Sequence, residues 1–168
     1  MISLQILDVK EFMHQLLKTD LFDHFLMSEA VITNSITYHL DGHLNPAFYS
    51  EDELDTLQIN NLTFAPFSLL RNNCFELIKG KRTPSYFKFV FLKKKKNLEN
   101  TLARTKSSFS VNDISGVYFN LHYQNRILTA TTGVSYRIFS LDHSFENEWD
   151  SYICRFLKQH QIAYEMLT

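Results

Sequence analysis

Along the first eighteen residues the apolar positions change period. Ile2, Leu4 and Ile6 alternate, which predicts a short half-buried strand over 2–6. From Val9 onward the apolar residues fall at helical spacing. Val9, Phe12, Met13, Leu16 and Leu17 share one face, Lys10, Glu11, His14 and Lys18 the other, and Asp8 is placed to cap the helix 8–18. Leu26–Thr33 is rich in β-formers, Asn34-Ser35 suits a turn, and Ile36–Leu40 completes a hairpin that Asp41-Gly42 ends. Ser50 followed by Glu53 forms a capping box for a short acidic helix.

The second half repeats this alternation of periods. Phe67, Leu70, Cys74, Leu77 and Ile78 make a helical stripe over 67–79, opened by Pro66 and stopped by Gly80. Phe87, Phe89 and Phe91 occupy one face of a strand over 86–92, and Leu98 and Leu102 mark a helix over 97–104. Val117, Phe119, Leu121 and Tyr123 alternate, and Gln124-Asn125 suits a tight turn into Ile127–Thr132. Gly133 is expected to break that run before a further strand over 134–139. Phe145, Trp149, Tyr152, Ile153, Phe156 and Leu157 line one face of a last helix, and 162–167 reads as a final strand. The pattern predicts an α+β fold: a mostly antiparallel sheet with packed helices, in a single domain over 1–168. The order strand, helix, strand, strand occurs twice, over 1–45 and 86–137, and this suggests an internal repeat.

Composition bears on environment. The fifteen Phe and eight Tyr predict an aromatic core, and four Gly with three Pro leave little material for linkers. The opening residues carry no basic leader, so no secretory segment is expected. No apolar run approaches the roughly 18 residues of a membrane span, so no membrane partner is expected either. Two distant cysteines, Cys74 and Cys154, argue against a disulfide framework and a thiolate-rich zinc site, and point to a reducing cytoplasm.

Charge adds the most. The net charge of −1 hides a segregation: residues 1–78 hold eleven acids against three bases, whereas residues 79–106 hold ten bases against Glu99. The ten are Lys79, Lys81, Arg82, Lys88, Lys93, Lys94, Lys95, Lys96, Arg104 and Lys106, and all but Lys88 are candidates for anion binding. A run such as Lys93–Lys96 is most simply a solvated loop between a strand and a helix. As a functional element it would neutralise phosphates and release counterions, with an aromatic such as Tyr86 free to stack a base.

Local catalytic signatures are absent. Gly80-Lys81-Arg82-Thr83 lacks the upstream glycine of a phosphate loop and follows a helix instead of opening one. His39, Asp41 and His43 alternate like zinc ligands, but the Asp41-Gly42 turn would disrupt that alternation, so a hairpin end is the better reading. Glu29 would become a general acid or base if buried on its strand, and an exposed strand face is the simpler reading. His24, His122, His143 and His160 form no recognisable spacing, and Trp149 and Tyr152 read as core.

Ile78-Lys79-Gly80-Lys81-Arg82-Thr83-Pro84, Thr129-Ala130-Thr131-Thr132-Gly133-Val134-Ser135 and Trp149-Asp150 resemble stretches of a small bacterial family of uncharacterised proteins, which implies no activity. More remotely, 116–121 with 126–137 resembles the hairpin that closes a β-α-β-β-β unit in a DNA sliding clamp domain. That resemblance implies two such repeats. The chain departs from it in carrying an acidic first helix and extra helices at 67–79 and 145–158.

These readings favour a non-enzymatic binding or assembly module whose basic segment meets an anionic partner, either nucleic acid or an acidic protein surface, or another copy of the chain. The alternative is a small enzyme with a site assembled from dispersed residues, which a pocket of convergent polar groups would favour. No cofactor or metal is called for.

Overall fold

A computed structural model describes residues 1–167 of the chain. In chain order the described residues form β1 (Ser3–Ile6), α1 (Val9–Lys18), β2 (Leu26–Thr33), β3 (Thr37–Asp41), α2 (Glu51–Leu57), β4 (Ala65–Pro66), α3 (Phe67–Ile78), β5 (Tyr86–Leu92), α4 (Leu98–Ala103), β6 (Ile114–Gln124), β7 (Ile127–Tyr136), α5 (Ser144–Gln159) and β8 (Tyr164–Leu167). The fold is α+β. Every strand pairing is antiparallel, in the order β3-β2-β5-β6-β7-β1-β8, with β4 beside β2.

Alternation along the strands puts the apolar set on one face. Leu4, Ile6, Ala30, Ile32, Phe87, Phe89, Phe91, Phe119, Leu121, Leu128 and Ala130 are buried in one cluster with Phe12 and Leu16 of α1, Phe67 and Cys74 of α3, Leu98 of α4, and Trp149, Ile153 and Phe156 of α5. The other face carries Gln5, Glu29, Lys88, His122 and Thr129, as expected of an antiparallel sheet with one solvated side. Glu29 sits there in an ion pair with Lys88 (3.1 Å), not in a buried acid's position. Cys74 is sealed in the core, and burial pushes its thiol up to about 12, so it stays protonated and inert.

The helix ends follow from local chemistry. The Asp8 carboxylate accepts from the Glu11 N–H (3.0 Å), and Ser50 and Glu53 cap each other's backbone (2.8 and 3.2 Å). α3 stops at Ile78, and Gly80 follows at φ 142°, a conformation open to glycine. α2 buries no side chain and rides on the outside.

Two expectations fail. Gly133 does not break its strand: it pairs with Tyr118 inside β7, which runs unbroken to Tyr136, while Ile138 and Phe139 lie beyond it and are exposed. A glycine in an extended stretch is only a weak breaker when the facing strand, here β6, holds its backbone. The internal repeat also fails. β5 pairs directly with β6, but β1 and β2 are separated by β5, β6 and β7, so the segments 1–45 and 86–137 have different strand orders. The cause is α1, whose buried Phe12, Leu16 and Leu17 lie across the sheet and carry the chain from the β7 side to the far side of β5. The clamp-like plan of two equivalent units is therefore not the plan of this sheet.

Candidate functional site

The parity of β5 decides where its last lysine goes. Phe87, Phe89 and Phe91 point into the core, and Lys93 is the next residue of that register, its N–H still bonded to Val117 O (3.0 Å). Its side chain therefore enters the helical layer. The ammonium donates to Thr101 Oγ1 (3.0 Å) and lies 4.1 Å from the ring centre of Tyr152 and 5.2 Å from that of Trp149. These rings are stacked (5.3 Å, 13°) and present a π face to the cation.

Three segments close a pocket of about 230 Å³ around this ammonium. The 3₁₀ turn Lys95–Asn97 and α4 supply Asn97, Asn100, Thr101 and Arg104; α5 supplies Glu148 and Tyr152; the link between α1 and β2 supplies His24 and Phe25. The link is held firmly. Phe22 and Phe25 are buried, and Asp23 accepts a two-point hydrogen bond from Arg71 Nε (2.9 Å) and Nη2 (3.1 Å). Between them His24 stands at the pocket rim with its ring against Phe25 (4.2 Å) and Phe156 (5.6 Å). Its Nδ1 donates to the Leu21 carbonyl (3.1 Å), which leaves Nε2 as the acceptor of the neutral ring.

The electrostatics are those of an uncompensated cation. Burial, aided by Arg104 and opposed by Glu148, lowers the Lys93 pKa to about 8. Among the described residues no carboxylate lies within ion-pair distance of Lys93; Glu148, in the pocket lining, is engaged by Arg155 (2.7 Å). Burial also lowers the His24 pKa, against the Leu21 hydrogen bond, and Lys93 and Lys94 add to the effect. Tyr152 is raised by burial.

The other basic residues go elsewhere. Lys79 pairs with Glu76 (2.6 Å) at the end of α3, and Lys81 and Arg82 are exposed beside it, at the opposite end of β5 from Lys93. Lys94 is half-buried, and Lys95, Lys96 and Lys106 are exposed. The nine candidates thus divide between two ends of a strand, and only Lys93 and Arg104 meet in this pocket. Changing both Lys95 and Lys96 to Ser is expected to leave stability within about 0.5 kcal/mol in urea unfolding, as for solvated surface residues. The proposed hairpin end is also seen: Asp41 accepts from the His43 N–H (2.9 Å) and ring (2.6 Å) instead of facing a metal with His39.

His24, Asn97, Asn100, Thr101, Glu148 and Tyr152 were not singled out as site residues by sequence reasoning. A signal existed for Lys93, in the odd-numbered register of 87, 89 and 91. Another existed for α4, where Asn97, Thr101 and Arg104 share a helical face. Nothing local marks His24.

The comparison that bears on kinship is with protein families: the family described as "Family of unknown function (DUF5721)" matches residues 15–165. The chain belongs to DUF5721. The matched span of DUF5721 takes in every residue lining the pocket. No curated protein and no solved structure matches the chain. Among the described residues no helix is long and apolar enough to cross a membrane.

Proposed function

We propose that the chain binds a small anion, of the phosphate or carboxylate class, in the pocket at the end of β5. Lys93 is the contact ion and Arg104 the second cation. The observation that carries this reading is the half-buried Lys93 ammonium, which has a hydroxyl and two aromatic faces for partners but no carboxylate at ion-pair distance. Desolvating a cation without a counterion is unfavourable, and an anionic ligand would relieve that state. The amide groups of Asn97 and Asn100 line the same pocket and can complete the hydrogen bonds of an oxyanion. Its volume, about 230 Å³, lies below the roughly 300 Å³ at which pockets for larger organic ligands begin, so the ligand should be compact. The separation of the basic residues favours this reading over a continuous track for nucleic acid.

Calorimetric titration at fixed ionic strength, with inorganic phosphate in one arm and citrate in the other, tests the proposal and tells the two chemistries apart. Wild type is expected to bind one of them, and Lys93→Met to weaken that binding at least tenfold, with Arg104→Gln weakening it less. The anion favours the charged amine, so the bound pKa lies above the free value of about 8. Affinity is then full below pH 8 and falls up to tenfold per unit above it, until the bound pKa is reached. Equal binding by Lys93→Met, or no binding of either anion by wild type, would sink the reading.

The neutral Nε2 of His24 beside an amine with a pKa of about 8 supports a second, catalytic reading, in which the two exchange protons with the bound anion. It predicts that His24→Gln keeps phosphate or citrate affinity but abolishes turnover of whichever ester or acid is found to react. Unchanged turnover in that variant would remove it.

A further inference from the structure

At the opposite end of β5 a second concavity lies between the start of α1 and the end of α3, with a volume of about 450 Å³. Its lining is divided by chemistry. Val9 and Met13 of α1, Ile78 of α3, and Pro84 form apolar walls, over a floor made by the stacked rings of Phe87 and Tyr123 (4.8 Å, 8°). Lys10, Lys79 and Arg82 also line it, and no acidic residue does. Lys79 is already paired with Glu76, whereas Lys10 and Arg82 take part in none of the ion pairs among the described residues. A neighbouring hollow shares Arg82, Thr83, Pro84 and Tyr123 and adds Arg126, which extends the basic side.

The shape has a physical origin. α1 and α3 pack against each other over the sheet, and the segment after Gly80 turns away to enter β5 at Tyr86. Gly80 adopts φ 142° with nothing within 4 Å of where a Cβ would stand, so the turn is open. The core-facing rings at this end of β5 and β6 are covered jointly by Val9 and Met13 of α1, Ile78 of α3 and the loop that carries Pro84. The volume falls within the roughly 300–1,000 Å³ of sites that hold small organic molecules, and such sites are mostly apolar with a few polar groups that fix orientation.

The geometry points to a binding site for a free medium-chain fatty acid, with its chain along the Phe87–Tyr123 floor and its carboxylate between Lys10 and Arg82. Charge complementarity selects this occupant. An apolar wall alone would accept any hydrocarbon, but two bases without ion-pair partners in the lining, and no acid there, favour an anionic end group. The site is independent of the Lys93 pocket and stands or falls separately from it.

Calorimetry with monomeric butyrate, hexanoate, octanoate and decanoate, each below its micelle concentration, provides the test. Affinity is expected to rise about fourfold for every methylene until the groove is filled, since each buried methylene adds a fixed transfer free energy. Decanol, which lacks the charge, is expected to bind at least tenfold more weakly than decanoate. The Lys10→Gln, Arg82→Gln double variant should likewise lose about tenfold in decanoate affinity while melting at the wild-type temperature. Met13→Trp should block the groove and abolish decanoate binding, with circular dichroism reporting an intact fold. An affinity that does not depend on chain length, or one untouched by the double variant, overturns the proposal. So does binding to phosphatidylglycerol vesicles without binding to monomeric decanoate, which would make the basic rim a membrane contact.

Discussion

Trp149→Ala is expected to lower folding stability by about 3–5 kcal/mol, the range for a large aromatic removed with partial collapse of its cavity. Trp149 is fully buried and stands where α5 meets the sheet. Its indole Nε1 donates to the Tyr118 carbonyl of β6 (2.9 Å), so truncation also removes a hydrogen-bond donor from a partly buried acceptor. Its ring stacks on Tyr152 and faces the Lys93 ammonium, which ties this core position to the pocket above it. Urea unfolding with a shared m-value measures the loss. Trp149→Phe keeps most of the buried area and should lose roughly half as much. A loss for Trp149→Ala below about 1 kcal/mol would mean that α5 is not the core element described here. The same variant should weaken anion binding, because Lys93 loses part of the surface that holds it in register.

Gly42→Ala is expected to destabilise by at least about 3 kcal/mol, the upper end of what overpacking costs. A Cβ at Gly42 would stand 1.8 Å from the Met27 carbonyl oxygen and 2.7 Å from its carbon. Both atoms are backbone, in the part of β2 where the register shifts between Met27 and Glu29, so no rotamer change can make room. The residue is also tied on both sides: its N–H donates to Ser28 O (2.9 Å), and its carbonyl accepts from the Ala65 N–H (2.8 Å). Gly42 thus brings the end of the β2–β3 hairpin and the start of β4 onto one point of β2. Thermal and urea unfolding of the variant should agree, and a change within about 0.5 kcal/mol would show that the backbone yields without penalty.

Much of the element order was legible because each segment keeps its period. The Phe87–Phe91 alternation, the Ser50–Glu53 box and the Phe145–Leu157 stripe all correspond to observed elements. The core expected from Phe87, Phe89, Phe119, Leu121, Trp149, Ile153 and Phe156 is buried. Pairing was less legible. A strand's period tells which face is apolar but not which strand lies beside it, so the placement of β1 between β7 and β8 had no local sign. Gly42 read as an ordinary turn glycine, since the carbonyl that excludes a side chain belongs to a strand paired only in three dimensions.

The site was legible in one residue of each kind. Lys93 looked like the first of four equivalent lysines, but the core-facing register of β5 sets it apart from Lys95 and Lys96. Arg104 reaches it through one helical face of α4. Charge counting treated residues 79–106 as one basic body, whereas the extended β5 in the middle of that segment carries its two ends to opposite sides of the fold, with Lys88 set aside on the solvated face against Glu29. His24 enters through a link fixed by Asp23 and Arg71, a pairing across residues that no spacing rule connects.

The position of β1 has a consequence for synthesis. Ser3 pairs with Thr131 and with Leu167, so β1 has no backbone partner until β7 has been made. At about 5–20 residues per second, β7 follows β1 by roughly six to twenty-five seconds. During that interval β2, β5 and β6 can assemble as a growing sheet, while Leu4 and Ile6 remain uncovered and the β7 side of the sheet is still missing. The late-made segments would then close the sheet around an early-made strand, an order of events that favours slow completion and exposes an open strand edge to chaperones in the meantime.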